Sequence, residues 1–93
     1  MDYWLYEMKY INIYDISISG PYICKLYDNE TNEFTTLGEL FMFSEGKFYD
    51  KNGNGPWLNS DIEEIQHYVD LYNKDSNNIK CFFELYEEKT NYR

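Results

Sequence analysis

The chain of 93 residues has no alanine, a single valine, a single histidine and a single arginine, and each shortage excludes something. Without Ala, and with Val69 alone of its kind, the usual small core fillers are missing, so the interior must be built from Ile, Leu and some of the 11 Tyr, 6 Phe and 2 Trp. A lone His67 supplies no imidazole cluster for a metal and no partner for a general acid–base pair. The only arginine, Arg93, is the last residue, so there is no forked clamp for a phosphate or carboxylate substrate. Cys24 and Cys81 have no C-x-x-C spacing, which excludes a zinc ribbon or dithiol redox motif; two buried free thiols are expected, with a disulfide between neighbouring strands as the alternative. No glycine-rich phosphate loop is present, and none of the serines sits in a nucleophile context. Enzyme activity and a bound cofactor are therefore not expected. No stretch approaches the ~18–20 apolar residues of a membrane span, and the start at Met1-Asp2-Tyr3-Trp4 lacks the basic and apolar regions of a signal peptide. The expected location is the cytoplasm, that of the host cell if a phage encodes the chain.

What is abundant is acid. Seventeen Asp and Glu stand against eight Lys and Arg, a net charge of -9. AT-rich codons would supply Tyr, Asn, Ile, Phe and also Lys, so nucleotide bias accounts for part of the tyrosine content and leaves the acid excess unexplained. Such a charge repels nucleic acid and anionic membrane and steers basic surfaces toward it. The eight bases are scattered singly along the sequence, so direct nucleic-acid binding is not expected. The expected partner is a basic protein.

The length suits one domain, 1–93. Ser60 with Glu63 has the form of a capping box ahead of the apolar series Ile62, Ile65, Val69 and Tyr72, which predicts a helix over 60–73. Asp61, Glu63 and Glu64 would occupy its first turn, where the macrodipole favours carboxylates. Glu63, His67 and Asp70, with Glu64 beside them, would form a solvated stripe with no compensating base. Residues 79–87 predict a C-terminal strand, with Ile79, Cys81, Phe83 and Leu85 inward and Lys80, Phe82, Glu84 and Tyr86 outward. Tyr22 to Tyr27, Glu39 to Phe43 and Lys47 to Tyr49 read as strands joined by short turns, hence antiparallel. Two more are expected between Tyr3 and Ile18, with a break near Tyr10 to Asp15. The class is α+β: an antiparallel sheet of about four to six strands, one face covered by the helix.

Two readings of function need particular residues. Asp50-Lys51-Asn52-Gly53-Asn54-Gly55 resembles the first half of an EF-hand calcium loop, with Asp50, Asn52 and Asn54 at the ligand positions and Asp61 where that family has its bidentate Glu. The resemblance implies a calcium-binding or structural module; a turn rich in Asp, Asn and Gly is the other reading of the same residues. In size, charge and residue usage the whole chain resembles the small acidic inhibitors of phages and mobile elements, the nucleic-acid-mimicking anti-CRISPR and anti-restriction proteins. That likeness implies an inhibitor that blocks a basic nucleic-acid-handling protein, with Glu63, Glu64, His67 and Asp70 of the helix and Asp28, Glu30 and Glu33 of a turn as partner-binding residues. An immunity protein that neutralises a toxin nuclease would use the same complementarity.

Overall fold

A computed structural model describes residues 9–75 and 77–86. Five strands form one antiparallel sheet: β1 (Lys9–Tyr10), β2 (Gly20–Asp28), β3 (Glu33–Ser44), β4 (Lys47–Asp50) and β5 (Ile79–Leu85), in the order β1-β5-β2-β3-β4. One helix, α1 (Asn59–Asp75), packs chiefly on β5 and on a short 3-10 turn at Ile13–Asp15. The α+β expectation therefore holds, with five strands and one α-helix among the described residues.

Local chemistry explains most boundaries. Glu45 and Gly46 both have positive φ, 53° and 80°, the combination that a two-residue hairpin turn requires to match strand twist; it joins β3 to β4. Between β2 and β3 the Asn32 N–H donates to Asp28 O at 2.7 Å, and Asn32, at φ 61°, is one of the residue types that tolerates that region. β3 begins at Glu33, six residues before the expected Glu39. Gly38, at φ 72°, sits where the register slips from Tyr22↔Phe41 to Cys24↔Leu37. The glycine marks a bulge inside a long strand rather than the strand's start.

Further expectations are corrected, and one falls outside what the structure describes. Residues 3–8 of the first expected strand lie outside the described residues. After Tyr10 the chain does not form a second strand: Asn12 accepts the Tyr14 N–H at 2.9 Å and starts the 3-10 turn, burying Ile13 and Ile16 three positions apart. α1 begins at Asn59, with Leu58 O accepting from Asp61 N and Ile62 N, so Ser60 lies inside the first turn and does not cap it. Of the three acids, only Asp61 is then in that turn. α1 also runs on to Asp75, past the expected end at 73. β5 ends at Leu85, and residue 87 lies outside the described residues.

The core is aromatic, as the lack of Ala and Val requires. Phe41 lies 5.9 Å from both Phe48 and Phe83 between ring centroids, and 6.0 Å from Tyr22. Trp57, held by its N–H to Phe48 O at 2.8 Å, stacks on Phe48 at 5.7 Å. Tyr22 donates its hydroxyl to Ile18 O at 2.6 Å; burial, and then the neighbouring Tyr10, push its pKa up to about 12.

Two side-chain amides attach α1 to the rest. Buried Gln66 accepts the Ile13 N–H at 2.6 Å and donates to Asp70 at 2.8 Å. Asn73 accepts the Cys81 N–H at 2.8 Å and donates to Cys81 O at 3.0 Å, acting as a one-residue strand on the edge of β5 that β1, paired only to Glu84 and Phe83, does not reach.

Replacing Gln66 by Ala strands the N–H of Ile13, a residue 0% exposed, and should cost about 2 kcal/mol of unfolding free energy. Glu63→Ala, on the exposed side of α1, should change it by no more than about 0.5 kcal/mol. Urea denaturation of the two variants measures both values.

Candidate functional site

Because α1 is fastened over β5 and the 3-10 turn, it does not cover the whole inner face of the sheet. Between α1 and the bulged part of β3 lies a groove of about 500 Å³, walled by Leu37, Phe41 and Trp57 on one side and by Ile65, Tyr68 and Tyr72 on the other. Glu39 and Asp50 are the acidic residues along it. Tyr68 is 53% exposed, Tyr72 40% and the adjacent Leu71 39%. Tyr68, Leu71 and Tyr72 also line a smaller cleft with Asp75 and Ile79 at the end of the helix. At 3.6 residues per turn, Asp61, Glu64, Tyr68, Leu71, Tyr72 and Asp75 share one flank of α1. Large apolar groups on this flank are edged by carboxylates.

The expected acidic stripe is divided by this geometry. Glu64 belongs to the groove flank. Glu63, His67 and Asp70 lie on the opposite flank, and Lys74, included because the helix runs to Asp75, stands one turn beyond Asp70. That flank is thus not without a base. Asp70 also has a structural task, since its carboxylate accepts from Gln66. In the β2–β3 turn Asp28 and Glu33 are register partners, and Asp28 accepts the Glu30 N–H at 2.9 Å. Like charges placed opposite each other in a ladder are unfavourable, so this pair owes nothing to sheet stability. Asp28 is also in register with Ile79, which places the turn at the Asp75 end of α1 and away from Glu63 and Glu64. The two expected patches are separate.

In the Asp50 loop both carboxylate oxygens are used within the loop. Oδ1 accepts the N–H of Asn52 at 2.9 Å and of Asn54 at 2.8 Å, and Oδ2 accepts the Asn54 side-chain amide at 3.2 Å. The Asn54 N–H above all, with those of Asn52 and Gly53, holds the Asp50 pKa below the usual carboxylate range. Asp61 is on α1, and no group of three or more His, Cys, Asp or Glu side chains close enough to hold a metal ion occurs among the described residues. The arrangement fits an Asx-type turn that leads the chain from β4 toward α1.

Cys24 and Cys81 are free thiols on adjacent strands, with sulfurs 3.6 Å apart at the floor of the groove. The contact with Cys81, reinforced by burial, pushes the Cys24 thiol well above its ordinary range. A thiol so placed is a poor nucleophile.

Comparison with protein-family models, curated proteins and solved structures returns no match. The site therefore rests on geometry alone. The groove residues form no motif, yet one signal of them is visible in the sequence. Ile62, Ile65, Tyr68, Val69, Leu71 and Tyr72 span about half the helix circumference, wider than the ~100° stripe that one packed face needs. The surplus is the exposed flank.

A group whose folded pKa is lowered stabilises the fold above its unfolded pKa and ceases to do so as pH falls through the lowered value. The amide resonances of Asn52 and Asn54 should therefore titrate with a midpoint below ~3.9, the ordinary aspartate value. A midpoint at or above that value in an NMR titration would remove the inward-turned carboxylate.

Proposed function

We propose that the chain is a protein-binding inhibitor that docks its α1 groove flank onto a basic, nucleic-acid-handling protein and blocks the surface that protein uses for nucleic acid. The observation that carries this reading is the juxtaposition on one helix flank of exposed Tyr68, Leu71 and Tyr72 with Asp61, Glu64 and Asp75. Interfaces of this kind have an apolar, often aromatic, centre that excludes water and a charged rim. The net charge of -9 adds the long-range term, drawing a basic partner in before contact. On this reading carboxylates stand where phosphates would lie, and the tyrosines supply the residence time.

The division of labour is testable with two variants and one control. Glu64→Lys combined with Asp75→Lys should slow association by about tenfold and weaken its salt dependence, because rim charges act mainly on the on-rate. Tyr68→Ala combined with Tyr72→Ala should speed dissociation by at least about tenfold, as loss of an aromatic anchor does. Glu63→Lys, on the other flank, should bind nearly as the unaltered chain does. The protein to measure against is obtained by affinity capture from a bacterial lysate at low salt, with no selection on salt release or on the variants. Surface plasmon resonance then gives the rates, and competition with nucleic acid tests the block. Capture of only neutral or acidic proteins, or binding indifferent to salt and to both double variants, would overturn the proposal.

A further inference from the structure

The other face of the sheet carries the opposite character. β-strand alternation brings together there three of the eight bases that are scattered in sequence: Lys9 of β1, Lys25 of β2 and Lys80 of β5, with Tyr27, Phe34 and Phe82 between them. The Lys9 ammonium lies 4.9 Å from the centre of the Phe82 ring and 5.6 Å from that of Phe34. Tyr27 and Phe34 are cross-strand partners with rings 4.7 Å apart. Phe82 is only 2% exposed although it points away from α1, because Phe34 stands edge-on over it at 6.2 Å and the lysine stems close around it. Phe34 itself remains 55% exposed. It is an aromatic surface over a buried ring, with lysines beside it.

Two adjoining hollows open on this surface. One, of about 800 Å³, is bounded by Lys9, Tyr27, Asn32, Phe34 and Lys80. The other, of about 490 Å³, shares Tyr27 and Lys80 and adds the amides of Asn29, Asn77 and Asn78. In a chain with seventeen acids, no described carboxylate lines either hollow. The reason is register: Tyr27 and Phe34 face outward, so their neighbours Asp28 and Glu33 in the same turn face the helix side. Glu84 is on the outer face, in register with Lys9 and paired to Lys25 at 3.0 Å, which leaves Lys80 as the base farthest from it along β5.

We propose that this face binds a nucleobase carrying a phosphate, either as a free nucleotide or as the end of a single strand. The base would stack on Phe34 and Tyr27, the phosphate would meet the Lys80 ammonium, and the amides of Asn29 and Asn77 would meet the polar edge of the base. Stacking on exposed aromatics beside lysine is the way sheets hold unpaired bases. The net charge confines the ligand to one or two phosphates, since a long polyanion would run out of the basic patch and into the acidic field. This site is on the opposite face from the α1 groove and stands or falls independently of it.

The test is an NMR titration of the full chain with adenosine monophosphate, with inorganic phosphate and with a short single-stranded oligonucleotide. Saturable shifts at Tyr27, Phe34 and Lys80 are expected with the nucleotide, at lower concentration than with phosphate. Phe34→Ala and Lys80→Gln should each weaken nucleotide binding by about tenfold, whereas Lys47→Gln, in the β3–β4 hairpin, should not. Tighter binding of the oligonucleotide than of the nucleotide assigns the source as a strand end, and the reverse order assigns a free nucleotide. No saturable shift at millimolar nucleotide, equal affinity for phosphate alone, or shifts confined to the α1 groove would overturn the assignment. So would a Lys80→Gln variant that binds as the unaltered chain does.

Discussion

The position of α1 depends on the hydrogen bonds of two side-chain amides, Asn73 and Gln66. β1 pairs with only two residues of β5, and beyond them the N–H and C=O of Cys81 would be an open edge inside the domain. Leaving such groups buried and unpaired is costly. Asn73 meets both with one side chain, in the place where a continued β1 would have met them. Gln66 does the same for Ile13, and the two amides fix the helix over one side of the sheet. The groove follows from that placement, because a helix held over β5 cannot also cover Leu37 and the β3 bulge. Core polar groups thus decide where apolar surface is left open.

The second organising constraint is strand alternation. In a turn such as Tyr27-Asp28 to Glu33-Phe34, the carboxylates and the rings are neighbours in sequence and lie on opposite faces in space. Applied across β1, β2, β3 and β5, this collects lysines and aromatics on the outer face, while the groove side carries Tyr68, Tyr72 and the acids of the α1 flank. A chain of uniform acidity in sequence becomes a two-sided object. The two proposed sites reflect that division and use different chemistry, charge-rimmed apolar docking on one face and ring stacking beside lysine on the other.

The legible parts of the fold were those fixed by local rules. The alternation at Ile79 to Leu85, the apolar period from Ile62 to Tyr72 and the Glu45-Gly46 turn each encode an element within a few residues, and each element is present. Boundaries were less legible where one residue type serves two purposes. Ser60 with Glu63 has the form of a cap, but Leu58 O provides the first helical acceptor. The strand expected from Glu39 starts at Glu33, because a bulge at Gly38 keeps it going. Of the expected contact residues, Glu64 lies on the groove flank and Glu63, His67 and Asp70 do not, a distinction of one position on a helix whose orientation the sequence leaves open.

By itself the sequence determined the α+β class, the aromatic core and the excess of negative charge, because these follow from composition and from periods of two and 3.6 residues. Only the tertiary structure decided which carboxylates stand beside exposed tyrosines, that three scattered lysines share one surface, and that Cys24 and Cys81 meet at 3.6 Å as free thiols in hydrogen-bond contact. These are relations between residues far apart in the chain, set by strand order and by two side-chain amides, Gln66 and Asn73. No local pattern records them.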